Sequence, residues 1–333
     1  MYIYKVIDDI KIFNEDCINS TNKIPDSSVV LGIFDPPFGI KESKFDQHYH
    51  RDDSNIIEGY QEAPSNYAEW TLEWLTEVKR ILHQNGSIYV IIGNTNLIHV
   101  LNAAHTLGFK EINHLIWKYN FGVNTKKKFV TSHYHVLYYC KSKKSIPVFN
   151  TNCRFGFQEK DEGGGSLLYK DLEDVFTINK EYSPGKVKNQ NKLPEELINK
   201  LIMYSSNEND MVCDFFMGNF TTAYCALKLG RNTCGYELNP NSYDYHMKEI
   251  KKIGFGVGLK ELKQVDNVVP INQGKPISEE DAELICSIYI EHHKNGLKKK
   301  DIVKNLQERF GRGKFSIENI LEKYLKNSLT NAK

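Results

Sequence analysis

Short apolar runs alternate with amphipathic helical segments along most of the chain. Residues 28–34 (SVVLGIF) are rich in β-branched side chains, and Asp35-Pro36-Pro37 ends this run because two successive prolines cannot continue a central strand. Strands that alternate with helices indicate βαβ units, and hence a doubly wound, mostly parallel α/β sheet. The pattern predicts strands at 28–34, 87–92, 112–118, 134–140, 211–215 and 233–237, and helices at 67–82, 95–107, 195–206 and 221–229.

The chain is expected to form two domains. Residues 1–260 carry the alternating pattern, except that periodicity is lost over 141–192. Residues 272–333 differ, with three helical segments at 279–291, 298–310 and 316–326 separated by glycine-containing breaks. We therefore expect a large α/β domain followed by a small helical unit with helix-turn-helix character.

Composition excludes several classes of protein. The 43 basic and 42 acidic residues give a net charge of +1, so bulk charge alone cannot bind a polyanion, although a local basic face can. No apolar run approaches the ~18 residues of a membrane span, and a secretory signal is not expected at the N-terminus. Seven cysteines without a C-x-x-C pair favour reduced, buried thiols in a cytoplasmic protein. His133 and His135 are interpreted as core histidines, and no metal site is expected.

Two strand-to-loop transitions are expected to form a ligand site, because open α/β sheets bind ligands at the carboxyl ends of strands. One is Asp35 to Phe38, and the other is the loop from Asp214 to Thr222. Glu237 ends the following strand, where an acidic side chain binds ribose hydroxyls. The G-x-G-x-x-G and phosphate-loop motifs are absent, so a cofactor with a ribose and no pyrophosphate is expected, and S-adenosylmethionine fits.

These motifs carry a family resemblance. DPPF at 35–38 followed by DFFMGNFTT at 214–222 resembles the permuted (beta-type) amino-methylating DNA methyltransferases, in which Asp/Ser-Pro-Pro-Tyr/Phe precedes Asp-Pro-Phe-x-Gly-Ser-Gly-Thr-Thr. The resemblance implies a seven-stranded S-adenosylmethionine-dependent methyltransferase sheet within 1–260, with a target-recognition segment in 118–192. Further similar segments lie at 14–17, 67–90, 132–141, 193–202 and 229–240.

The resemblance also implies the site residues. Asp35, Pro36, Pro37 and Phe38 would be catalytic: the Asp35 carboxylate and the Pro36 carbonyl accept the hydrogens of an exocyclic amine, and Phe38 stacks on the flipped base. Cys17 is equally expected as a small buried residue. The cofactor-binding residues would be Asp16, Cys17, Asp214, Phe215, Phe216, Gly218, Asn219, Thr221, Glu237 and Asn239.

The cofactor loop departs from the family pattern at three positions. Phe215 replaces a proline, Asn219 a serine and Phe220 the second glycine. Bulk at Phe220 is expected either to narrow the cofactor pocket or to reshape the loop. The residues for the methionine end of the cofactor are therefore the least defined.

Three basic stretches are candidate DNA contacts, although a solvated charge run is the alternative interpretation. The polar loop at 41–64 is expected to act as a lid over a flipped base. The candidate lysines are Lys126, Lys127, Lys128, Lys186, Lys188, Lys298, Lys299 and Lys300.

The sequence thus predicts a site-specific, S-adenosylmethionine-dependent methyltransferase acting on adenine N6 in double-stranded DNA, since family habit associates a leading Asp35 with adenine. Cytosine N4 is the alternative base, whereas cytosine carbon 5 is disfavoured because the chain contains no Pro-Cys dipeptide. A non-enzymatic DNA-binding protein, with a cofactor loop spoiled by Phe220, and methylation of an amine in RNA or protein are further alternatives. A homodimer and a cognate restriction endonuclease stay open as partners.

Overall fold

A computed structural model describes residues 10–38, 64–120, 122, 126–181, 192–260 and 276–330. The chain divides into two compact units, Met1–Val265 and Asp266–Lys333. No helix in the described ranges is both long and apolar enough to cross a membrane. All seven cysteines lie in described ranges as free thiols, and all are buried except the partly buried Cys153.

The first unit is built on one eight-stranded sheet of order β1-β8-β7-β2-β3-β5-β4-β6. Strand β5 runs antiparallel to β3 and β4, and the other pairs are parallel. The strands are β1 (Ile10–Phe13), β2 (Val29–Phe34), β3 (Leu82–Ile92), β4 (Lys110–Lys118), β5 (His133–Cys140), β6 (Val175–Thr177), β7 (Met211–Asp214) and β8 (Asn232–Tyr236).

The strand count exceeds the seven predicted by one, while the mixed, mostly parallel architecture is as predicted. Strand β6 has only three residues and lies within the aperiodic segment 141–192, so no alternation of side chains could indicate it. Strand β1, of four residues, also went unrecognised in the sequence.

Helices cover both faces of the sheet, as neighbouring residues of β2 illustrate. Phe34 packs in a cluster with Trp74 and Val78 of the first long helix, whereas Ile33 packs on the opposite face with Leu201. Successive strand side chains point to opposite faces, so a strand buried on both must be apolar throughout. The helices are α1 (Tyr67–Ile81), α2 (Leu97–Thr106), α3 (Leu167–Leu172), α4 (Glu195–Ser205), α5 (Thr221–Lys228) and α6 (Pro240–Ile250).

The described residues of the second unit, 276–330, form three helices, α7 (Glu279–Lys294), α8 (Lys299–Phe310) and α9 (Lys314–Thr330). They share a core that includes Ile285, Ile302 and Ile317. Ser278 caps α7 by accepting a hydrogen bond from the Asp281 amide. The unit therefore has an apolar core and a capped first helix of its own.

Candidate active site

Three acidic side chains follow neighbouring parallel strands at one edge of the sheet. Asp35 comes directly after β2, Asp214 ends β7 and Glu237 comes directly after β8. The ladder registers pair Gly32 with Cys213 and Asp214 with Gly235. The two loops singled out in the sequence, 35–38 and 214–222, therefore meet at the carboxyl edge, where α/β sheets bind ligands.

The backbone of the 35–38 loop is held by side chains from two helical regions. The Tyr67 hydroxyl donates to the Pro37 carbonyl (3.0 Å), and the Asn96 amide donates to the Phe38 carbonyl (2.8 Å). Within the described part of the chain, no hydrogen bond reaches the Pro36 carbonyl. The loop is thus fixed next to that carbonyl, which keeps its acceptor capacity.

One carboxylate oxygen of Asp35 is buried without a matching donor, although the residue as a whole is partly exposed. Its Oδ1 atom is excluded from solvent and has no hydrogen-bond partner. The pKa of Asp35 is raised to about 8: burial is the largest cause, the nearby Asp214 carboxylate adds to the rise, and the Lys180 ammonium opposes it. A buried acceptor left unpaired is costly, so this atom is suited to a donor that a ligand supplies.

Asp214 has a different environment, although it is also buried. Its carboxylate accepts hydrogen bonds from the Phe216 amide (2.9 Å) and the Thr222 hydroxyl (2.8 Å). The pKa of Asp214 is raised to about 7, chiefly by burial, although these two bonds lower it. Asp214 therefore shapes its own loop, whereas Asp35 keeps a free acceptor atom.

Aromatic rings line the site next to Asp35. The Phe38 and Tyr134 ring centroids lie 5.1 Å apart, and those of Tyr134 and Tyr119 also lie 5.1 Å apart. The Lys180 ammonium sits over the Tyr119 and Tyr134 rings, 4.5 and 5.0 Å from their centroids. The rings are tilted to one another by 53° and 41°, so a planar heterocycle could stack on one of them and meet the edge of its neighbour.

Glu237 ties the cofactor loop to the neighbouring helix. Its two carboxylate oxygens accept hydrogen bonds from the amides of Gly218 (2.6 Å) and Asn239 (2.8 Å). The Ser242 hydroxyl donates to the Gly218 carbonyl (2.7 Å), and the Asn239 side chain caps α6. An ionised carboxylate has about four acceptor positions, so Glu237 retains capacity for a ligand hydroxyl.

Gly235 makes the close approach of β7 and β8 possible. Its φ is +153°, and a Cβ atom there would lie 1.8 Å from the Asp214 carbonyl oxygen. Only glycine fits such a position. This glycine keeps Asp214 and Glu237 on adjacent strands at the same edge.

Phe220, the main departure from the family pattern, is fully buried. It adopts a left-handed conformation with φ +58° and stacks on His246 with ring centroids 5.1 Å apart. Its side chain packs with Ile12, Leu227 and Ile250. The sequence leaves two expectations for Phe220, a narrowed cofactor pocket or a reshaped loop. The structure places the ring in the core and not in the loop opening.

The other cofactor-loop positions divide between core and edge. Phe215 is buried between Phe34 and Tyr236, with ring centroids 5.4 and 5.3 Å away. Phe216 is partly buried against Trp70 and Trp74. Thr221 is buried as the first residue of α5, and Asn219 is partly buried in the loop before it.

Asp16 and Cys17 follow β1 near the same edge. The Asp16 carboxylate accepts hydrogen bonds from the amides of Ile18 (2.7 Å) and Asn19 (3.2 Å). The Cys17 side chain is buried in the core, and burial raises the pKa of its thiol. Asn14 donates to the Glu237 carbonyl (2.7 Å), so the ends of β1 and β8 are joined. Contact of Asp16 with a cofactor stays a prediction, whereas Cys17 occupies the buried position expected as its alternative.

Four residues of the site were missed by sequence reasoning: Tyr67, Asn96, Tyr134 and Lys180. Tyr67 belongs to the apolar stripe of α1, and Tyr134 to the alternation of β5, so each looked like a core residue. Asn96 precedes α2 as an ordinary cap position. Lys180 lies in the aperiodic segment. Only the fold reveals that these residues converge.

The structure describes six of the eight lysines predicted to contact DNA. Lys126, Lys127 and Lys128 are exposed in the connection between β4 and β5. Phe129, which follows them, is 98% exposed. Lys298, Lys299 and Lys300 are exposed at the start of α8. Lys186 and Lys188 lie outside the described residues, as does the predicted lid at 41–64 apart from Pro64.

His135 of β5 is hydrogen-bonded to a histidine of β4 and to an asparagine of the loop after β3. The His135 ring nitrogens contact His114 Nε2 (2.8 Å) and Asn94 Oδ1 (2.6 Å). Burial and the neighbouring rings of His114 and His133 lower the pKa of His135. The sequence predicts that His133 and His135 lie in the core, whereas the structure leaves both partly exposed, with the ring of His135 hydrogen-bonded on both nitrogens. In the described ranges, no group of three or more potential metal ligands is assembled.

Comparison with known proteins matches residues 29–248 to the N6/N4 methyltransferase family described as DNA methylases. The Type II methyltransferase M.BamHI of Bacillus amyloliquefaciens is 29% identical over 246 residues, covering 68% of this chain and 54% of that protein. The Type II methyltransferase M.HinfI of Haemophilus influenzae is 30% identical over 259 residues, covering 73% of this chain and 68% of that protein. The match therefore spans only about half the length of the first relative.

Two solved structures share the fold. The PvuII DNA methyltransferase, described as cytosine-N4-specific, gives a TM-score of 0.55 at 15% identity over 74% of this chain and 88% of its own. The M1.HpyAVI–SAM complex gives 0.50 at 20% identity over 72% and 99%. The predicted fold class is confirmed, as is the family resemblance.

The position of Phe220 leads to a stability prediction. Phe220→Ala should lower the free energy of unfolding by about 3–5 kcal/mol, because it leaves a cavity among buried side chains. Chemical denaturation measures this change. Ile98→Ala, at a residue of α2 that is 54% exposed, is the matched control and should change it by less than about 0.5 kcal/mol. Equal, small losses in both variants would contradict the buried placement of Phe220.

Proposed function

The chain belongs to the N6/N4 DNA methylase family, and on that premise we propose that it transfers a methyl group from S-adenosylmethionine to an exocyclic amino nitrogen of a base in double-stranded DNA. One observation carries the proposal. The buried Asp35 Oδ1 has no partner, and it lies in the loop that also presents the Phe38 ring. A flat heterocycle bearing an amino group supplies both the donor for Asp35 and the surface for Phe38.

The chemistry explains why a carboxylate and a carbonyl are needed. The lone pair of an exocyclic amine is delocalised into the ring, so the nitrogen is a poor nucleophile. An Asp35 carboxylate and a Pro36 carbonyl that accept its two hydrogens favour the pyramidal nitrogen, whose lone pair is free to attack. The Tyr67 and Asn96 hydrogen bonds fix the loop carrying both acceptors, so little reorganisation is required at the moment of reaction.

The target base must leave the duplex before its amine can reach Asp35. Flipping costs stacking and pairing energy, and an aromatic slot in the protein compensates in part. Phe38 and Tyr134 provide neighbouring rings for this purpose. The proposed role of Phe38 is therefore to hold the base plane while Asp35 and Pro36 orient its amine.

The residues at the edge fit a cationic cofactor with a ribose. S-adenosylmethionine supplies an activated methyl group on a positively charged sulfur. The pKa of Asp214 is raised to about 7, chiefly by burial, so a nearby positive charge would stabilise its ionised carboxylate. Glu237 would bind the ribose hydroxyls with its remaining acceptor positions, and Asp16, Asn219 and Asn239 stay further candidates.

The position of Phe220 favours an enzyme over the non-enzymatic alternative. That alternative required the Phe220 ring to spoil the cofactor loop, whereas the ring is packed among Ile12, Leu227 and Ile250.

We propose adenine N6 as the target, since Asp35 heads the tetrapeptide, with cytosine N4 as the alternative. The names of two relatives, both Type II methyltransferases, support the proposal of a restriction-modification role with a cognate endonuclease as partner.

The proposed DNA contact near the site is the exposed stretch from Lys126 to Phe129. Lysines that neutralise phosphates give affinity without sequence preference. Phe129 is 98% exposed, and a large apolar ring left in water beside three cations is suited to stacking on a base. A second group of lysines stands at the start of α8: Lys298, Lys299 and Lys300. The helix macrodipole makes positive charge unfavourable at this end, and a bound phosphate would offset that unfavourable interaction.

The base and the reaction are tested together. Protein, S-adenosylmethionine with a labelled methyl group and genomic DNA from a host without this activity are incubated, and the DNA is hydrolysed to nucleosides. We expect labelled N6-methyldeoxyadenosine. Labelled N4-methyldeoxycytidine alone would overturn the adenine assignment, and the absence of any labelled nucleoside would overturn the proposed function.

Asp35→Asn is the control for that experiment, because it keeps the size of the side chain and removes the charged acceptor. Transfer should fall by roughly a thousandfold or more, as for other groups that act directly on the reacting atoms. Cofactor binding by calorimetry should change little. Asp244→Asn, at an exposed acid of α6, is the matched variant and should transfer like the wild type.

The lysine stretch gives a prediction for DNA binding. Replacing Lys126, Lys127 and Lys128 with alanine should weaken DNA binding to all sequences alike. It should also make the affinity less dependent on salt: the slope of log K against log salt should become shallower by about 0.9 for each phosphate that is no longer neutralised. Fluorescence anisotropy at several salt concentrations measures the slope. Alanine at Lys143 and Lys144, exposed after the far end of β5, should leave it unchanged. Equal slopes in all three proteins would remove this stretch from the DNA surface.

A further inference from the structure

Lys180 reaches the catalytic edge through the short strand β6. This strand pairs in parallel with β4, with Thr177 opposite Lys118, and the Ile178 amide then donates to the Lys118 carbonyl (3.0 Å). The two strands therefore end together. Lys180, two residues beyond this bond, lies beside the end of β4, where Tyr119 begins the next connection.

The Lys180 ammonium is held by aromatic faces. It lies 4.5 Å from the ring centroid of Tyr119 and 5.0 Å from that of Tyr134. Both distances are within the range of cation–π attraction. Tyr134 is also the ring next to Phe38, at 5.1 Å, so the cation sits on the same aromatic wall as the proposed base-stacking residue.

Lys180 acts on Asp35 without bonding to it. No ion pair within 4.0 Å joins the two side chains, both of which the structure describes. Their charges nonetheless interact. Burial and the Asp214 carboxylate raise the pKa of Asp35, and the Lys180 ammonium lowers it. In turn, burial lowers the pKa of Lys180, and the Asp35 carboxylate raises it. A direct ion pair would occupy the carboxylate, whereas this arrangement leaves Oδ1 free.

We propose that Lys180, anchored over Tyr119 and Tyr134, is a positioning residue that favours the ionised form of the Asp35 carboxylate while leaving its Oδ1 open to the amine of the target base. This inference rests on the proposed function, and it assigns to the site a cation that the motifs do not contain. Lys180 acts through Asp35 and takes no part in bond making.

The other charged and titratable groups around the pair do not replace Lys180. Asp214, from the end of β7, carries the same charge as Asp35 and opposes its ionisation. The groups packed on Lys180 are the rings of Tyr119 and Tyr134. Glu181, the next residue, is directed to Lys192 (3.2 Å) and to the Glu195 amide (2.7 Å). Among the described residues, Lys180 is the cation that acts on Asp35.

The test is the pH dependence of kcat/KM for methyl transfer in wild type, Lys180→Met and Lys180→Arg. The wild-type rate should rise with pH as Asp35 ionises, with a midpoint near the Asp35 pKa of about 8. Removing the cation disfavours the ionised form, so Lys180→Met should move this midpoint upward by roughly half a unit to one unit and lower the rate at pH 7 by roughly three- to tenfold. Lys180→Arg should restore the wild-type midpoint.

Controls separate this role from damage to the fold. Lys170→Met, at an exposed lysine of the same segment, should leave the profile unchanged. A Lys180→Met profile lowered equally at every pH, with the wild-type midpoint, would overturn the inference, and so would an unaltered profile. Absence of transfer by the wild type at every pH would instead overturn the proposed function on which the inference rests.

Discussion

The carboxylate of Asp35, buried at the end of a central strand without a donor for its Oδ1, is the constraint around which the rest of the site is arranged. Both Asp35 and Asp214 have a pKa raised from the ordinary 3.8, to about 8 and about 7. Between the ordinary and the raised values the folded protein holds more protons than the unfolded chain, so the free energy of unfolding falls as pH rises through this window. Each unit of pKa shift corresponds to about 1.4 kcal/mol of difference between the two protonation states. Carboxylates with pKa values shifted this far are typical of functional sites.

The acids along the edge have different tasks. Asp214 directs its acceptors to Phe216 and Thr222, and Glu237 joins the same loop to α6 through Gly218 and Asn239. These hydrogen bonds hold the 214–222 loop in place. Asp35 alone of the three keeps a buried oxygen without a partner, and the loop that carries it is fixed from outside through its neighbouring carbonyls. Structural and chemical roles thus belong to different carboxylates on adjacent strands.

Much of this arrangement could be predicted from the sequence, because the signals are local. A β-branched run that stops at Asp35-Pro36-Pro37 marks a strand end, and the stripe of α1 marks a buried helix. Phe220 could not be placed, because its left-handed backbone turns the ring into the core. Lys180 was missed because it follows a three-residue strand whose place beside β4 depends on pairing distant in sequence.

The central claim is that Asp35 is a buried carboxyl whose charge the site controls, and its titration tests this most directly. The protein is labelled with 13C at aspartate carboxyl carbons, and the Asp35 signal is assigned by its disappearance in Asp35→Asn. We expect this signal to titrate with a pKa near 8, well above the ordinary range. Titration near pH 4 would mean that Asp35 is open to water, and would contradict the claim.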